Sequence, residues 1–143
     1  MKRILIINGP NLNLLGLREP DIYGKQDYKA LLSLIKGTEA VYNVTTEVYQ
    51  SNHEGDIVDK IQSAYGNFDG IVINPAAYTH TSVAILDALK AVGIPTVEVH
   101  ISDISKREEF RHHSYVSLAA VKTICGHGLQ GYVEGIEFLV ENY

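Results

Sequence analysis

The hydrophobic positions of the chain form short runs and helical stripes that alternate along the sequence. Residues 4–7 and 70–73 are nearly continuous apolar runs, as expected for strands that are covered on both faces. Residues 44–49, 96–100 and 119–125 are rich in β-branched side chains and indicate three more strands. The pattern therefore predicts five strands.

Between these runs, apolar residues recur at helical spacing. Asp27 is placed to cap the first helix, the capping-box sequence at residues 51–54 predicts the start of the second, and residues 79–81 are placed to cap the third. The charged residues 105–115 predict one short helix. The four stripes are, in chain order, Tyr28, Leu31, Leu32 and Ile35; Ile57, Val58, Ile61 and Tyr65; Val83, Leu86 and Leu89; and Leu129, Tyr132, Val133, Ile136 and Val140.

Five strands that alternate with four or five helices predict a flavodoxin-like α/β fold. We expect one domain of residues 1–143, a three-layer α/β/α sandwich around a five-stranded parallel sheet of order 2-1-3-4-5. Right-handed crossovers place successive helices on both faces of such a sheet. Its ligands bind beyond the carboxyl ends of the strands, near the point between strands 1 and 3 where the order reverses.

Polar residues follow three of the predicted strands. Because the carboxyl ends of parallel strands lie at one edge of a sheet, we expect these side chains to converge there. They are Asn8 and Asn11 after strand 1, Asn74 and His80 after strand 3, and His100 and Ser102 after strand 4.

Residues 8–23 are too interrupted by Gly and Pro to form a regular element, so they predict a long loop. Long loops in compact domains are commonly binding or lid segments. This one carries Arg18, a fixed cation, and Tyr23, a phenol. The residues alone leave open the alternative that Asn, Gly and Pro only make turns and that Tyr23 packs as an apolar cover.

Other ligands of this architecture are disfavoured by the same loops. The chain has no G-x-x-x-x-G-K-[ST] or G-x-G-x-x-G pattern, and Pro10 removes a backbone donor where a phosphate cradle needs one. Asn8 and Asn74 stand where a phosphorylated signalling receiver needs carboxylates. The histidines lie at no ligand spacing with cysteines or a carboxylate cluster, so we expect no metal or other cofactor.

Composition narrows the partners and the location. Of the 143 residues, 45% are hydrophobic and 20% are charged, which is ordinary for a globular domain. The net charge of -5 and the lack of a basic run argue against nucleic-acid binding. The first apolar run is too short for a signal peptide or a membrane span, so we expect a cytoplasmic protein without membrane partners.

Four linked motifs give a resemblance to a known family. GPNLNLLGLREPDIYG, NPAAYTHTS, EVHIS and KREEFRHHSY, in this order and spacing, resemble the type II 3-dehydroquinases (3-dehydroquinate dehydratases) over nearly the whole chain. The resemblance implies reversible anti elimination of water from 3-dehydroquinate through an enolate, in the shikimate pathway or in quinate catabolism. It also implies a homododecamer of four trimers. Asp103 and Ser105 depart from the residues of many relatives, but neither position is a principal catalytic one.

The resemblance also implies catalytic roles. Tyr23 resembles the base, Arg18 the group that favours its phenolate, and Asn11 the residue that holds a water or the enolate oxygen. His100 resembles the general acid. Glu98 lies two residues earlier on the same face of its strand, where it is placed to orient the His100 imidazole.

The remaining residues of the resemblance bind the substrate. They are Asn74 with the backbone amides of Ile101 and Ser102 for the carboxylate, His80, Arg111 for the ring hydroxyls or for the field that favours an anion, Arg107 beside the lid, and Asp87 from a neighbouring subunit. The alternative is a non-catalytic flavodoxin-like module that binds a small ligand, which the loss of Arg18, Tyr23 or His100 would favour. All three are present, so the sequence favours the enzyme.

Overall fold

The structure, a computed structural model, describes residues 1–17 and 26–143. Its sheet has five parallel strands in the flavodoxin-like order β2-β1-β3-β4-β5, which confirms the predicted order. β1 and β3 end in register, with Asn8 opposite Asn74. The strands are Lys2–Asn8 (β1), Val44–Gln50 (β2), Gly70–Asn74 (β3), Thr96–His100 (β4) and Lys122–Cys125 (β5).

Four α-helices in the described part of the chain cover the two faces of the sheet. They are Tyr28–Tyr42 (α1), Glu54–Ser63 (α2), Val83–Val92 (α3) and Gln130–Asn142 (α4). The alternating residues of β1 divide the core between these faces. Ile4 and Ile6 pack with the apolar residues of α1 and α4, whereas Leu5 and Ile7 pack with those of α2 and α3. The predicted three-layer sandwich is therefore confirmed.

The start of α2 differs from the capping-box prediction. The helix begins at Glu54, but Ser51 does not cap it. Instead, Ser51 Oγ accepts a hydrogen bond from the backbone N–H of His53 (2.9 Å) and donates one to Asp56 (3.1 Å). The predicted stripe is also too long, since α2 ends before Tyr65, which is 71% exposed.

The start of α3 was also predicted wrongly, whereas that of α1 is confirmed. Residues 79–81 do not cap α3; Ser82 does, because its Oγ accepts a hydrogen bond from the backbone N–H of Ile85 (3.0 Å). Asp27 caps α1 by accepting from the backbone N–H of Ala30 (2.8 Å). Ser and Asp are both preferred caps, so several adjacent hydroxyl residues leave the exact start undecided in the sequence.

The predicted helix over residues 105–115 is wrong. The segment forms two short 3₁₀ turns separated by extended backbone at Arg107 and Glu108, because its charged side chains provide no apolar stripe to bury. The described connections contain five such turns: Leu12–Leu14, Ala76–His80, Ile104–Lys106, Glu109–Arg111 and Val116–Leu118.

The last strand and helix are close to their predicted positions. β5 starts at Lys122 rather than at residue 119, since the turn before it continues through Ala120, whose N–H donates to the carbonyl of Val116 (3.1 Å). In α4, Leu139 is buried and Val140 is only partly buried, so the apolar stripe is displaced by one residue at its end. None of the helices within the described ranges has the length and apolar character that a membrane span requires.

Candidate active site

A cleft opens at the carboxyl ends of β1, β3 and β4, where the sequence predicted a binding edge. Of the polar residues predicted to converge there, Asn8 alone is buried beneath the cleft rather than lining it. The described residues that line the cleft are Pro10, Asn11, Leu12, Leu14, Leu15, Asn74, Ala76, Ala77, His80, His100, Ile101, Ser102, Ile104, Arg107 and Arg111.

The end of β4 carries a buried pair of a histidine and a carboxylate. His100 is the last residue of the strand and Glu98 lies two residues earlier, so both side chains point to the same face. His100 Nε2 lies 2.5 Å from Glu98 Oε2, and Glu98 is fully buried. This contact agrees with the placement predicted from strand alternation. Because Nε2 is committed to the carboxylate, Nδ1 is the ring nitrogen left for a ligand.

Hydroxyl groups hold the Glu98 carboxylate from other segments. Thr79 Oγ1 and Ser114 Oγ donate to Glu98 Oε2 at 2.7 and 2.8 Å, and Thr123 Oγ1 lies 3.4 Å from Oε1. Burial by itself raises the pKa of Glu98, but the hydrogen bonds from His100, Thr79 and Ser114 outweigh burial and hold the pKa below its ordinary value. Glu98 is therefore an anion beside His100.

A second buried network joins the ends of β1 and β3. The hydroxyl of Tyr132, on α4, donates to Asn8 Oδ1 (2.6 Å) and accepts from Asn74 Nδ2 (2.9 Å). Asn74 Oδ1 accepts from the backbone N–H of Ala76 (3.1 Å), and Asn8 Nδ2 lies 3.4 Å from the hydroxyl of Tyr28. Burial raises the pKa of Tyr132, so its hydroxyl keeps its proton.

The turn that carries Asn11 is held by backbone contacts. Asn11 has a left-handed φ of 71°, and its N–H donates to Asn52 Oδ1 (3.0 Å). Two residues earlier, the N–H of Gly9 donates to the carbonyl of Asn74 (2.8 Å). A Cβ on Gly9 would overlap the carbonyl group of Pro75, so only glycine allows the loops after β1 and β3 to approach this closely.

His80 and Arg111 contribute polar groups to the cleft with fixed directions. His80 Nδ1 donates to the carbonyl of His113 (2.7 Å), so neutral His80 presents Nε2 as an acceptor. Burial lowers the pKa of His80, and the nearby His100 and Arg111 add to this lowering, against the hydrogen bond to His113. Arg111 Nε donates to Glu108 Oε2 (2.5 Å), which orients its guanidinium group.

Most of the predicted site residues lie together. Glu98 lies behind His100, whereas Asp87 is exposed on α3 and does not line the cleft of its own chain. Arg18 and Tyr23 lie outside the described residues. The predicted residues that line the cleft are Asn11, Asn74, His80, His100, Ile101, Ser102, Arg107 and Arg111.

Three side chains that hold the site are not predicted by the sequence. The pattern of residues places Thr79 in a helix cap and Tyr132 in an apolar stripe, and it indicates no role for Ser114. Thr79 and Ser114 carry no signal of their own, because hydroxyl residues are common in turns. Tyr132 carries a weak one: a phenol in an otherwise apolar stripe needs a hydrogen-bond partner, and Asn8 and Asn74 end the two central strands.

Known proteins resemble the chain over almost its full length. A family model for class II dehydroquinase matches residues 2–140. The 3-dehydroquinate dehydratase of Corynebacterium glutamicum (strain R) is 54% identical over 137 residues, which cover 96% of this chain and 94% of that protein. The catabolic 3-dehydroquinase of Verticillium alfalfae is 59% identical over 136 residues, which cover 95% and 91%.

A solved structure agrees with these matches. The crystal structure of a type II dehydroquinase from Butyrivibrio crossotus superposes with a TM-score of 0.94 at 54% identity, covering 96% of this chain and 97% of its own. Fold and sequence thus point to the same family. With its flavodoxin-like sheet and with the cleft at the ends of β1, β3 and β4, the chain belongs to the class II dehydroquinases.

Proposed function

We propose that the protein is a 3-dehydroquinate dehydratase, a hydro-lyase that forms 3-dehydroshikimate by reversible anti elimination of water through an enolate, in the shikimate pathway. The observation that carries this proposal is His100 on the cleft wall, 2.5 Å from the buried Glu98 anion. Eliminating water from a β-hydroxy ketone needs a group that protonates the departing hydroxyl, and this pair supplies one. Membership of the family supports the same substrate.

The first step removes a proton from the carbon next to the ketone. By resemblance, Tyr23 acts as the base in its phenolate form, and Arg18 stabilises that form because an adjacent positive charge favours the ionised phenol. The C–H bond breaks, its proton passes to the Tyr23 oxygen, and its electron pair moves to the ketone oxygen to give the enolate.

The enolate oxygen needs a hydrogen-bond donor. Asn11 lines the cleft, and the bond from its N–H to Asn52 Oδ1 fixes its turn. Its side-chain amide holds the enolate oxygen, directly or through a water molecule. A donor that is already in place stabilises the developing charge without reorganisation.

The second step expels the hydroxyl group as water. Since Nε2 of His100 is hydrogen-bonded to Glu98, the donor is Nδ1, which carries a proton only when the ring is protonated on both nitrogens. The Glu98 carboxylate balances the charge of that imidazolium ring. Proton donation leaves a neutral His100 whose remaining proton stays on the side of Glu98.

The other cleft residues bind the substrate. Asn74 Nδ2 has a second hydrogen besides the one given to Tyr132, and together with the backbone amides of Ile101 and Ser102 it forms a pocket for the carboxylate. His80 accepts a hydrogen bond from a ring hydroxyl through Nε2, because its Nδ1 already donates to a backbone carbonyl.

Positive charge and a neighbouring chain complete the proposed site. Arg111 and Arg107 line the cleft and favour an anionic substrate, and Arg107 also helps to hold Tyr23. Asp87, exposed on α3, reaches a substrate only in the cleft of a neighbouring subunit. By the family resemblance, we also propose a dodecamer of four trimers, in which each chain forms one domain.

The test is conversion of 3-dehydroquinate by the purified protein, followed by the ultraviolet absorbance of the conjugated product. Tyr23→Phe is expected to lower kcat by at least about 100-fold, the lower end for loss of a general base, with an unchanged circular dichroism spectrum. Tyr65→Phe, at an exposed tyrosine beyond α2, is the matched control and should keep full turnover.

Two results would contradict parts of the proposal. A wild-type protein that binds 3-dehydroquinate without converting it would favour the alternative, a non-catalytic module. Near-normal turnover by Tyr23→Phe would exclude Tyr23 as the base while leaving the activity itself intact.

A further inference from the structure

The phenol of Tyr132 is an unusual group for its surroundings. The residue is completely buried in an apolar cluster that includes Ile6, Val72 and Ile136, where a phenylalanine would pack equally well. Its hydroxyl reaches the ends of the two central strands and bonds Asn8 and Asn74 there. The hydroxyl therefore contacts Asn74, which lines the cleft, from the buried side.

The network has only one consistent direction of hydrogen bonding. The N–H of Ala76 can only donate, so the Asn74 atom facing it must be Oδ1, and Nδ2 must face Tyr132. The Tyr132 oxygen consequently accepts from Asn74, and its own proton goes to Asn8 Oδ1. Asn8 Nδ2 is then left to donate toward Tyr28.

This direction decides what Asn74 offers to a ligand. Its Oδ1 already accepts from Ala76 and one Nδ2 hydrogen is donated to Tyr132, so the second Nδ2 hydrogen is the donor that remains for the cleft that Asn74 lines. A flipped amide would set Nδ2 against the N–H of Ala76 and would present an oxygen to the cleft. A carboxylate is attracted by the N–H and repelled by the oxygen.

We propose that Tyr132 is a positioning residue for substrate binding, whose hydroxyl acts with the N–H of Ala76 to hold the Asn74 amide so that an N–H donor faces the substrate carboxylate. This inference rests on the proposed function, because it concerns the same cleft and the same substrate. Tyr132 itself touches no substrate; it acts through Asn74.

The primary test is Tyr132→Phe, which removes the hydroxyl and keeps the ring. We expect KM for 3-dehydroquinate to rise by about 5-fold or more, as for the loss of one oriented hydrogen bond, while kcat changes much less. The matched control is Tyr42→Phe. The Tyr42 hydroxyl also bonds to α4, through Glu137 Oε2 (2.5 Å), and its ring packs against the same cluster, but it does not touch Asn74.

Two further readouts separate positioning from a general structural effect. An analogue of 3-dehydroquinate that lacks the carboxyl group should bind equally well to the wild type and to Tyr132→Phe. The double variant Tyr132→Phe/Asn74→Ala should show no larger KM than Asn74→Ala alone, since both changes remove the same contact. Additive increases in KM, or an equal loss for the analogue, would overturn the proposal.

Two further experiments keep the proposal testable if Tyr132→Phe does not fold or if the wild type is inactive. If Tyr132→Phe does not fold, Asn8→Leu/Tyr132→Phe removes the orphaned acceptor as well and still leaves Asn74 without its partner, so the same KM comparison applies. An inactive wild type would refute the proposed activity only. The orientation of Asn74 would then be read from NMR: a cross-peak between its Nδ2 protons and the Tyr132 ring supports the network, and a flipped amide refutes it.

Discussion

Within residues 1–17 and 26–143, a histidine contacts a glutamate in two places, and the two pairs differ in burial and in their surroundings. At the end of β4, His100 and Glu98 approach to 2.5 Å with side chains that are 6% and 0% exposed. Before α4, His127 Nδ1 and Glu134 Oε2 lie 2.8 Å apart with side chains that are 55% and 42% exposed. The distances are similar, so distance alone does not distinguish the buried pair from the surface pair.

The surroundings make the difference. Water screens the pair of His127 and Glu134, and exposed pairs of this kind contribute little. Around Glu98, hydroxyl groups from Thr79 and Ser114 replace water and keep the carboxylate ionised inside the protein. The buried unit is therefore the Glu98 carboxylate together with its hydroxyl donors, and not the pair of His100 and Glu98 alone.

The largest expected difference in kcat is between the two variants that each remove one imidazole. His100→Gln should lower kcat by about 100-fold or more, because the departing hydroxyl loses its proton donor. His127→Gln should leave kcat unchanged, since its ring is on the surface. Steady-state kinetics with 3-dehydroquinate measure both variants, and an equal loss in the two would abolish the distinction.

The next largest difference in kcat is expected between the two variants that each remove one carboxylate. Glu98→Gln should lower kcat by about 10- to 100-fold, corresponding to one hydrogen bond to a charged group. Glu134→Gln is the control and should keep the kcat of the wild type, because its carboxylate is exposed; an equal loss of kcat in both variants would contradict the comparison.

Smaller effects are expected from the hydroxyl donors. Thr79→Val and Ser114→Ala each remove one bond to Glu98 and should lower kcat by about 2- to 10-fold. Thr81→Val, at an exposed threonine two residues away, should have no effect. An unchanged kcat in the double variant Thr79→Val/Ser114→Ala would contradict this prediction, because it would show that His100 and Glu98 act without these two hydroxyl groups.

The smallest expected effect concerns stability in acid. Burial raises the pKa of Glu98 in the folded protein, but its hydrogen bonds lower it more, so the folded-state pKa lies below that of the unfolded chain. Glu98 therefore stabilises the fold at pH values above its unfolded-state pKa of about 4.3. This stabilisation is lost as the pH falls through the folded-state pKa. Urea unfolding between about pH 6 and pH 3 should therefore show a steeper acid loss for the wild type than for Glu98→Gln. The same slope in both proteins would be the contrary result.

The fold was largely predictable because its strands are buried in a simple way. Residues 4–7 and 70–73 are almost wholly apolar, and such short runs are typical of strands that are covered on both faces. The helix starts were less predictable, since Ser51 and Thr79 have the chemistry of a cap but bond to Asp56 and Glu98 instead. Which of these partners a hydroxyl group bonds is decided by the tertiary structure and not by the local sequence.

The candidate site was predictable from the sequence where its contacts join residues that are close together on one strand. His100 follows a strand, and Glu98 lies on the same face two residues earlier, so their contact follows from the period of a strand. The bonds of Ser114 and Tyr132 join segments that are far apart in sequence, 16 and 58 residues from Glu98 and Asn74. No local pattern encodes such distances.

The overlap that a side chain at Gly9 would make with Pro75 has a consequence for protein engineering. The backbones that leave β1 and β3 touch at this point and are joined by the bond from the N–H of Gly9 to the carbonyl of Asn74. A chimaera that takes its first loop from one homologue and its second loop from another would have to reproduce this backbone contact. Recombination libraries should therefore inherit both loops from the same parent.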